Sequence, residues 1–342
     1  MRFSASRVLT PRRRRLRPIA AVLAGLVPLL VITGCNPFSS LSSNSTGQVI
    51  RVAAVPGIEN ANLYLAVNSG YFTRAGVTVK VEHFTTIQAE LNALNHGQVD
   101  VIAADYGDMF FAESQSPHPI YKILADGYDA APGVTEILTL PNSSITSPSN
   151  LAGLTIPVPN SEQVGAPAGD PTTLAVASAV SVLQSDGVNL AAVDWKPMPQ
   201  QQEINELIHH KTSAVLLTGI NVYRAQQQGA VELIDACSGP TSGIPLDGFF
   251  TTSGWLAEAD HSAAAKAFQQ GLYNADAAAT MPGPIQAVLP PWMNISKQEA
   301  DLVTTGTYPL STITASLQRT AALLWNEGTT KNEASVATMV VS

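Results

Sequence analysis

The sequence predicts an α/β fold of two lobes, each a mainly parallel sheet flanked by helices. Three observations support this prediction. Predicted strands and helices alternate along the chain, as they do where helices connect parallel strands. The alternation starts again after a polar segment at residues 141–150. The chain has 342 residues, and the part after residue 34 is long enough for about two domains of ordinary size.

The first 34 residues have the composition of a secretory signal. Their charged residues are seven arginines, from Arg2 to Arg17, and an apolar run follows at residues 19–32. A helix that spans a bilayer needs roughly 20 apolar residues, and Pro28 interrupts this shorter run. We therefore predict a signal segment at residues 1–34, with a transmembrane helix as the alternative.

The segment Ile32-Thr33-Gly34-Cys35 resembles the lipobox of bacterial lipoproteins, in which the cysteine is acylated and becomes the N-terminus. The resemblance implies that Cys35 carries lipid and anchors the protein on the extracytoplasmic face of the cell membrane. Residues 35–49, rich in serine and asparagine, are predicted to form a flexible tether. The other cysteine, Cys237, then has no disulfide partner and is predicted to be a buried apolar residue.

The part of the chain after the signal is acidic. Once the seven N-terminal arginines are set aside, 11 of the 18 basic residues are left, against 26 acids. Nucleic-acid binding depends on Lys and Arg beside phosphate, so we predict no nucleic-acid partner. Only His209 and His210 are close together among the histidines, and adjacent positions on a helix do not share a metal. We therefore predict no metal and no cofactor.

The predicted first lobe begins with an apolar strand at residues 50–55 that ends at Pro56-Gly57. Residues 77–83 alternate in polarity, which is typical of a strand. Residues 99–104 are almost continuously apolar, which is typical of a strand buried on both faces. The other predicted elements are helices at 60–68, 88–95 and 108–114 and strands at 121–125 and 135–140.

The predicted second lobe covers residues 141–246. Asp170 and Pro171 form an N-cap and first-turn pair, which predicts a helix at 172–184. The other predicted elements are strands at 154–158, 192–196, 213–218 and 231–234 and a helix at 200–210. A strand at 247–253 is predicted to return to the first lobe, followed by helices at 262–278, 297–304 and 311–327. The first lobe therefore comprises residues 50–140 and 247–342.

Several short motifs occur in a characteristic order: IRVAAVPG, Gly70-Tyr71-Phe72, Ala75-Gly76-Val77, Gly97-Gln98-Val99-Asp100 and Pro148-Ser149-Asn150-Leu151. In this the chain resembles the ABC-transporter substrate-binding proteins of the sulfonate, nitrate and thiamine-pyrimidine (SsuA/THI5-like, NMT1) family. The resemblance implies a type II periplasmic binding protein fold, whose two lobes are joined by two hinge strands and close on a small molecule. It also implies an ABC permease and its ATPase as partners.

We expect a monomer that binds its ligand without changing it. Two alternatives are open. One is an enzyme of the same fold, related to proteins of the pyrimidine or menaquinone pathways. The other is a lipoprotein that senses a ligand without transporting it.

Ligand groups are expected in the loops after the strands, because pockets in α/β proteins lie at the carboxyl ends of parallel strands and between domains. Helix capping is the alternative role for most of the candidates in the first lobe, and core packing is the alternative for Tyr64. The candidate ligand-binding residues are Glu59, Asn60, Asn62, Tyr64, Thr86, Asp105, Tyr106, Asp108, Asp170, Thr172, Thr173, Thr218, Asn221 and Asp247.

The sequence also bears on the charge of the ligand. A helix N-terminus at residues 170–173 suits an anion, and the sulfonate-type relatives hold the charged end of their ligand there. Asp170 already supplies negative charge at that place, however. The arginines after residue 34 all lie outside the predicted pocket loops: Arg51, Arg74, Arg224 and Arg319. A strongly anionic ligand usually requires a guanidinium, so the sequence favours a neutral, zwitterionic or cationic small molecule, heteroaromatic ones included.

Overall fold

The computed structural model describes residues 47–116, 120–160, 173–190 and 193–341. Two groups of strands form within these residues, and we call each group with its helices a lobe. The strands of lobe 1 are β1 (Val49–Ala54), β2 (Thr78–His83), β3 (Val101–Asp105), β4 (Tyr121–Asp129) and β10 (Pro245–Thr252). Their order across the sheet is β2-β1-β3-β10-β4.

The first sheet is parallel except for its returning strand. β1 pairs with β2 and β3 in parallel, whereas β10 runs antiparallel between β3 and β4. Helices cover both faces, which is why Val52, Ala53 and Ile102 are fully buried. The helices of lobe 1 are α1 (Ala61–Asn68), α2 (Tyr71–Ala75), α3 (Ile87–Asn95), α4 (Tyr106–Gln115), α8 (Ser253–Leu256), α9 (His261–Ala279), α10 (Pro284–Met293), α11 (Lys297–Leu302), α12 (Thr314–Asn326) and α13 (Val336–Met339).

The elements of lobe 2 are β5 (Thr135–Thr139), β6 (Thr155–Pro159), β7 (Asp194–Met198), β8 (Ala214–Thr218), β9 (Val231–Asp235), α5 (Leu174–Ser185), α6 (Gln200–Ile208) and α7 (Ile220–Gln227). The strands of lobe 2 form a three-stranded sheet, β8-β5-β9, and a two-stranded sheet, β6-β7. β5 runs antiparallel between β8 and β9. β6 pairs in parallel with β7 and lies beside β8.

The chain passes between the lobes twice, at residues 130–134 and 236–244. The prediction of a two-lobed α/β fold with two crossings is therefore confirmed. The boundary at residue 140 is wrong, because it assigns β5 to the first lobe. β5 forms its ladders with β8 and β9, so the first crossing comes before this strand.

Some helices differ from the sequence prediction for local reasons. α5 begins at Leu174 rather than at residue 172, because the Thr173 hydroxyl accepts a hydrogen bond from the Val176 amide and caps the helix. α10 was not predicted, since Pro290 and Pro291 lie in its last turns. The short helices α2 and α13 and the helix α7 were also not predicted.

One carboxyl group of lobe 2 is buried and has no hydrogen-bond partner in the part of the chain that the structure describes. Glu203 of α6 is fully buried beside Ile204 and Leu207, and neither of its carboxyl oxygens has a hydrogen-bond partner among the described residues. Burial, and then the charge of Glu206, raises the pKa of Glu203 to about 9 from an ordinary value of 4.5. A raised pKa on an acid means that the folded protein loses stability as the pH rises above the unfolded value.

We expect Glu203→Met to increase the free energy of unfolding by a few kcal/mol at pH 8, because the variant no longer has an acid that must be kept protonated. The gain should shrink as the pH falls through the ordinary value of 4.5, below which the wild-type carboxyl is protonated in both states. Urea denaturation at several pH values measures this. Gln201→Met, at an exposed position of the same helix, is the matched control and should change little. A gain that does not vary with pH would show that packing rather than ionisation causes it.

Candidate functional site

A cavity of about 340 Å³ lies between the two lobes, at the carboxyl ends of their parallel strands. This volume is near the lower end of the range for small-molecule sites. Both lobes contribute to its walls. The lining residues are Val55, Pro56, Gly57, Glu59, Asn60, Ile87, Ala103, Asp105, Tyr128, Leu246 and Asp247 of lobe 1, and Val134, Thr135, Asn160, Leu174, Ala175, Ser178 and Thr218 of lobe 2 and the crossing before it.

The loop between β1 and α1 forms one wall and is held by Asn60. The Asn60 Oδ1 accepts hydrogen bonds from the Gly57 amide at 3.1 Å and from Trp292 Nε1 at 3.0 Å. Its Nδ2 donates to the Val55 carbonyl at 2.9 Å. Asn60 therefore uses its polar atoms to fix the loop, and Trp292 of α10 also hydrogen-bonds to the loop.

Three carboxylates of lobe 1 converge on the cavity from different elements: Glu59 from the β1–α1 loop, Asp105 from the end of β3, and Asp247 from β10. Asp247 lies directly opposite Asp105 in the antiparallel register of β10 and β3. Residues so placed have Cβ atoms about 5 Å apart, and like charges there are destabilising. The strand pairing therefore forces two acids together.

Only part of this acidic group is satisfied by hydrogen bonds. The Asp105 Oδ1 accepts from the Gly107 amide at 2.6 Å and the Asp108 amide at 3.3 Å, which caps α4. Asp247 is 7% exposed, and its Oδ1 has no partner among the described residues. Glu59 extends towards lobe 2, since a Cβ added to Gly219 would stand 3.2 Å from its Oε1.

Burial and mutual repulsion disfavour the ionised form of these acids. Burial, opposed by the two capping bonds and reinforced by Glu59, raises the pKa of Asp105 to about 7. Burial, followed by the charges of Glu59 and Asp105, raises the pKa of Asp247 well above its ordinary value. Burial also raises the pKa of Glu59. The cavity by itself therefore cannot readily hold three negative charges.

The lobe 2 wall offers hydroxyl groups and apolar surface. Gln200 fixes Thr218 at the end of β8, with its Oε1 accepting from the Thr218 amide at 2.9 Å and its Nε2 donating to the hydroxyl at 3.0 Å. Ser178 of α5 is 2% exposed, and its hydroxyl has no partner among the described residues. Leu174 and Ala175 cover the first turn of the same helix.

Five of the predicted ligand-binding residues line this cavity: Glu59, Asn60, Asp105, Thr218 and Asp247. Asp170 and Thr172 lie outside the described residues. The other candidates lie away from the described lining: Asn62, Tyr64, Thr86, Tyr106, Asp108, Thr173 and Asn221. The sequence analysis did not select Tyr128, Thr135 or Ser178, which do line it.

The displaced candidates in lobe 1 have structural roles. The Asn62 amide donates to Asp276 of α9 at 2.8 Å and is fully buried. Tyr64 stacks on Trp292 with ring centroids 5.0 Å apart. Tyr106 is buried and donates to Asp126. Thr86 caps α3 by accepting from the Ala89 amide.

The remaining displaced candidates lie within or next to helices. Asp108 is in the first turn of α4, and Asn221 is in the first turn of α7. Thr173 is the cap of α5. For these residues, the position in the helix or at its cap determines where the side chain lies.

A larger depression of about 740 Å³ lies at the other end of the strands of the first sheet, away from the cavity between the lobes. Its residues belong to lobe 1 alone, and the Arg51 and Asp100 side chains in it are paired with each other. Arg51 and Asp100 form an ion pair there at 2.7 Å, and Arg51 also donates to the Gly97 carbonyl. We therefore take the cavity between the lobes as the candidate site.

The sequence and the fold both match known proteins. Residues 58–281, more than half of the chain, match the family described as NMT1/THI5 like, and the chain belongs to this family. The predicted resemblance is thus confirmed. Among curated proteins, no match was found at the significance threshold. In the part of the chain that the structure describes, no helix is long and apolar enough to cross a membrane.

Solved structures share the type II periplasmic binding protein fold at low identity. The periplasmic aliphatic sulphonate binding protein SsuA from Escherichia coli has a TM-score of 0.68 at 14% identity, covering 86% of this chain and 92% of that one. The alkanesulfonate-binding protein SsuA of Xanthomonas axonopodis pv. citri, bound to MOPS, has a TM-score of 0.63 at 14% identity, covering 86% and 98%. The desulfurization enzyme DSZB has a TM-score of 0.66 at 14% identity, covering 86% and 96%. The fold therefore serves both binding proteins and an enzyme.

The structural role of Asp105 can be separated from its charge. We expect Asp105→Ala to be about 1 kcal/mol less stable than Asp105→Asn, because asparagine still accepts the hydrogen bonds that cap α4. Urea denaturation of both variants at pH 8 measures the difference. Equal stability of the two variants would mean that the cap does not contribute.

Proposed function

We propose that this chain is an extracytoplasmic solute-binding lipoprotein, which captures a small molecule between its lobes and delivers it to an ABC importer. The observation that carries the proposal is the cavity between the lobes, to which both lobes contribute the carboxyl ends of strands. A ligand that touches both walls favours the closed arrangement of the lobes. The two crossings, at residues 130–134 and 236–244, are the segments about which the lobes would turn.

Family membership supports the same proposal. Relatives with this fold include sulfonate-binding proteins and a ligand-binding component of an ABC-type import system. The partners that follow are a membrane permease and its ATPase, with the binding protein acting as a monomer.

Binding without catalysis is supported by the chemistry of the cavity. The lining residues that the structure describes include neither cysteine nor histidine. Cys237, in the second crossing, is buried, and its pKa is raised to about 11, mainly by burial. Its sulfur is therefore a thiol near neutral pH, which is a poor nucleophile. A sensing lipoprotein would use the same cavity, and a permease and ATPase encoded beside this gene would favour import.

The first prediction from this proposal concerns lobe closure. A thermal-shift screen of sulfonates, nitrate, pyrimidines, polyamines and amino acids should find a ligand, since a compound at 100 times its Kd stabilises a protein by about 2.7 kcal/mol. That ligand should bind at 1:1 stoichiometry and decrease the radius of gyration in small-angle scattering.

Ala175→Trp provides the control for this experiment. Ala175 lines the cavity and is partly exposed, so the indole would fill the space between the lobes. The variant should lose both the binding and the compaction. Tight binding to the wild type with an unchanged radius of gyration would contradict hinge closure.

The second prediction concerns the anchor, which lies outside the described residues. Cys35→Ser should move the protein from the membrane fraction to the soluble fraction, because a serine cannot carry the lipid thioether that we propose. Cell fractionation and immunoblotting measure this, with Cys237→Ser as the control that keeps the anchor. A Cys35→Ser protein that stays in the membrane fraction would indicate that the apolar run at residues 19–32 is retained as a membrane helix.

A further inference from the structure

The lobe 1 wall of the cavity is rich in acidic groups, which no described lining residue balances. Glu59, Asp105 and Asp247 all line it, and the lining residues that the structure describes include no Lys, Arg or His. The chain offers no obvious stability reason for this arrangement, since Asp105 and Asp247 face each other across neighbouring strands. Residues that destabilise a protein in this way are characteristic of binding sites.

The environment of Asp247 separately favours a bound molecule that donates a hydrogen bond. It lies deep in the cavity wall, 7% exposed, and its Oδ1 has no hydrogen-bond partner among the described residues. A buried acceptor without a partner is costly, and a buried carboxylate is more costly than a neutral group. A donor from a bound molecule would remove this cost.

We propose that the cavity selects a small organic cation, whose protonated nitrogen lies between Asp247, Asp105 and Glu59. The inference rests on the proposed function and names the chemical class of its ligand. An ammonium or amidinium group donates hydrogen bonds and brings the positive charge that this wall lacks. The rest of such a molecule would lie against Leu174, Ile87 and Leu246, with the Ser178 hydroxyl in reach on the other wall.

The charges around Asp247 also favour a cationic ligand. The acids that act on Asp247 come from several elements: Glu59 from the first loop, Asp105 from β3, Glu90 from α3 and Asp108 from α4. All of them add to the effect of burial and raise the pKa of Asp247. A bound cation acts in the opposite direction, because it favours the ionised carboxylates. Ligand charge and wall charge are then complementary.

A metal ion fits this wall less well than an organic cation. In the described ranges, no group of three or more His, Cys, Asp or Glu side chains is placed to hold a metal. One oxygen of Asp105 is also committed to capping α4. An anion fits less well still, because it would lie against three acids with no described basic residue in the lining.

The test uses four probes with the same four-carbon chain and different charge: n-butylammonium, 1,4-diaminobutane dication, 1-butanol and butane-1-sulfonate. Thermal shift and calorimetry are measured at pH 8 and millimolar probe concentration, with Zn²⁺ as a further arm. We expect at least one of the two ammonium probes to stabilise the protein and bind at least about tenfold more tightly than 1-butanol and butane-1-sulfonate. The inference is overturned if neither ammonium probe binds, or if the sulfonate, the alcohol or Zn²⁺ binds more tightly than both.

Two variants test whether the preference for ammonium depends on the acidic residues of the lobe 1 wall. Asp247→Asn and Glu59→Gln keep the size of each side chain and remove one charge, so each should weaken ammonium binding by at least about tenfold. Glu82→Gln, on the exposed part of β2, also removes one acid and should leave the affinity unchanged. Equal affinities for all four proteins would refute the assignment of the wall, even if an ammonium binds.

This experiment distinguishes the inference from the function on which it rests. If butane-1-sulfonate or 1-butanol binds and compacts the protein, the solute-binding proposal stands and the cation inference fails. If an ammonium probe binds with the expected loss in both variants but the radius of gyration does not change, the charge of the ligand is established and lobe closure fails.

Discussion

The insertion of β10 between β3 and β4 is the constraint on which the site depends. The strand returns from lobe 2 and runs antiparallel to both neighbours, so that residues of distant sequence become direct neighbours. Phe249 and Phe250 are fully buried along it, which fixes the strand in register. The same register brings Asp247 opposite Asp105 at the edge where the lobes meet. A core formed by apolar packing thus holds two acids together that would otherwise separate.

The cleft is one of several places where the described part of the structure keeps buried polar atoms without a protein partner. Elsewhere in lobe 1, the buried Asn62 amide donates to one oxygen of Asp276, whose other oxygen has no partner among the described residues. Asn60 is satisfied by three separate groups. In the cavity, Ser178 and Asp247 keep atoms without protein partners among the described residues. A fold can accept such groups where a ligand completes them.

The sequence predicted the cavity residues that follow buried strands directly. Asp105 and Thr218 come at the ends of apolar runs, and the carboxyl ends of parallel strands are where the lobes face each other. It could not predict the roles of Asn62 and Tyr64, because their partners Asp276 and Trp292 are more than 200 residues away in the chain. Helical periodicity indicates that a face is buried, but not against which element.

The local sequence did not indicate that Ser178 lines the cavity or which sheet β5 joins. Ser178 lies in a helix rich in Ala, Val and Ser, where a small hydroxyl side chain gives no indication of a binding role. β5 follows β4 closely in the sequence, so it was placed in the first lobe, although its ladder partners are β8 and β9. Which sheet a strand joins is a property of long-range pairing, and a single sequence shows only that it is a strand.

The discontinuity of lobe 1 also affects the order in which the protein can be assembled. The strands of lobe 2, from β5 to β9, are continuous in the sequence, whereas the first sheet has a gap between β3 and β4 until β10 has been made. During synthesis from the N-terminus, the half that is begun first is therefore the half that is completed last. Until residue 252 is available, β3 and β4 expose unpaired edges. A polypeptide of this topology has its longest period of vulnerability to aggregation in its N-terminal part.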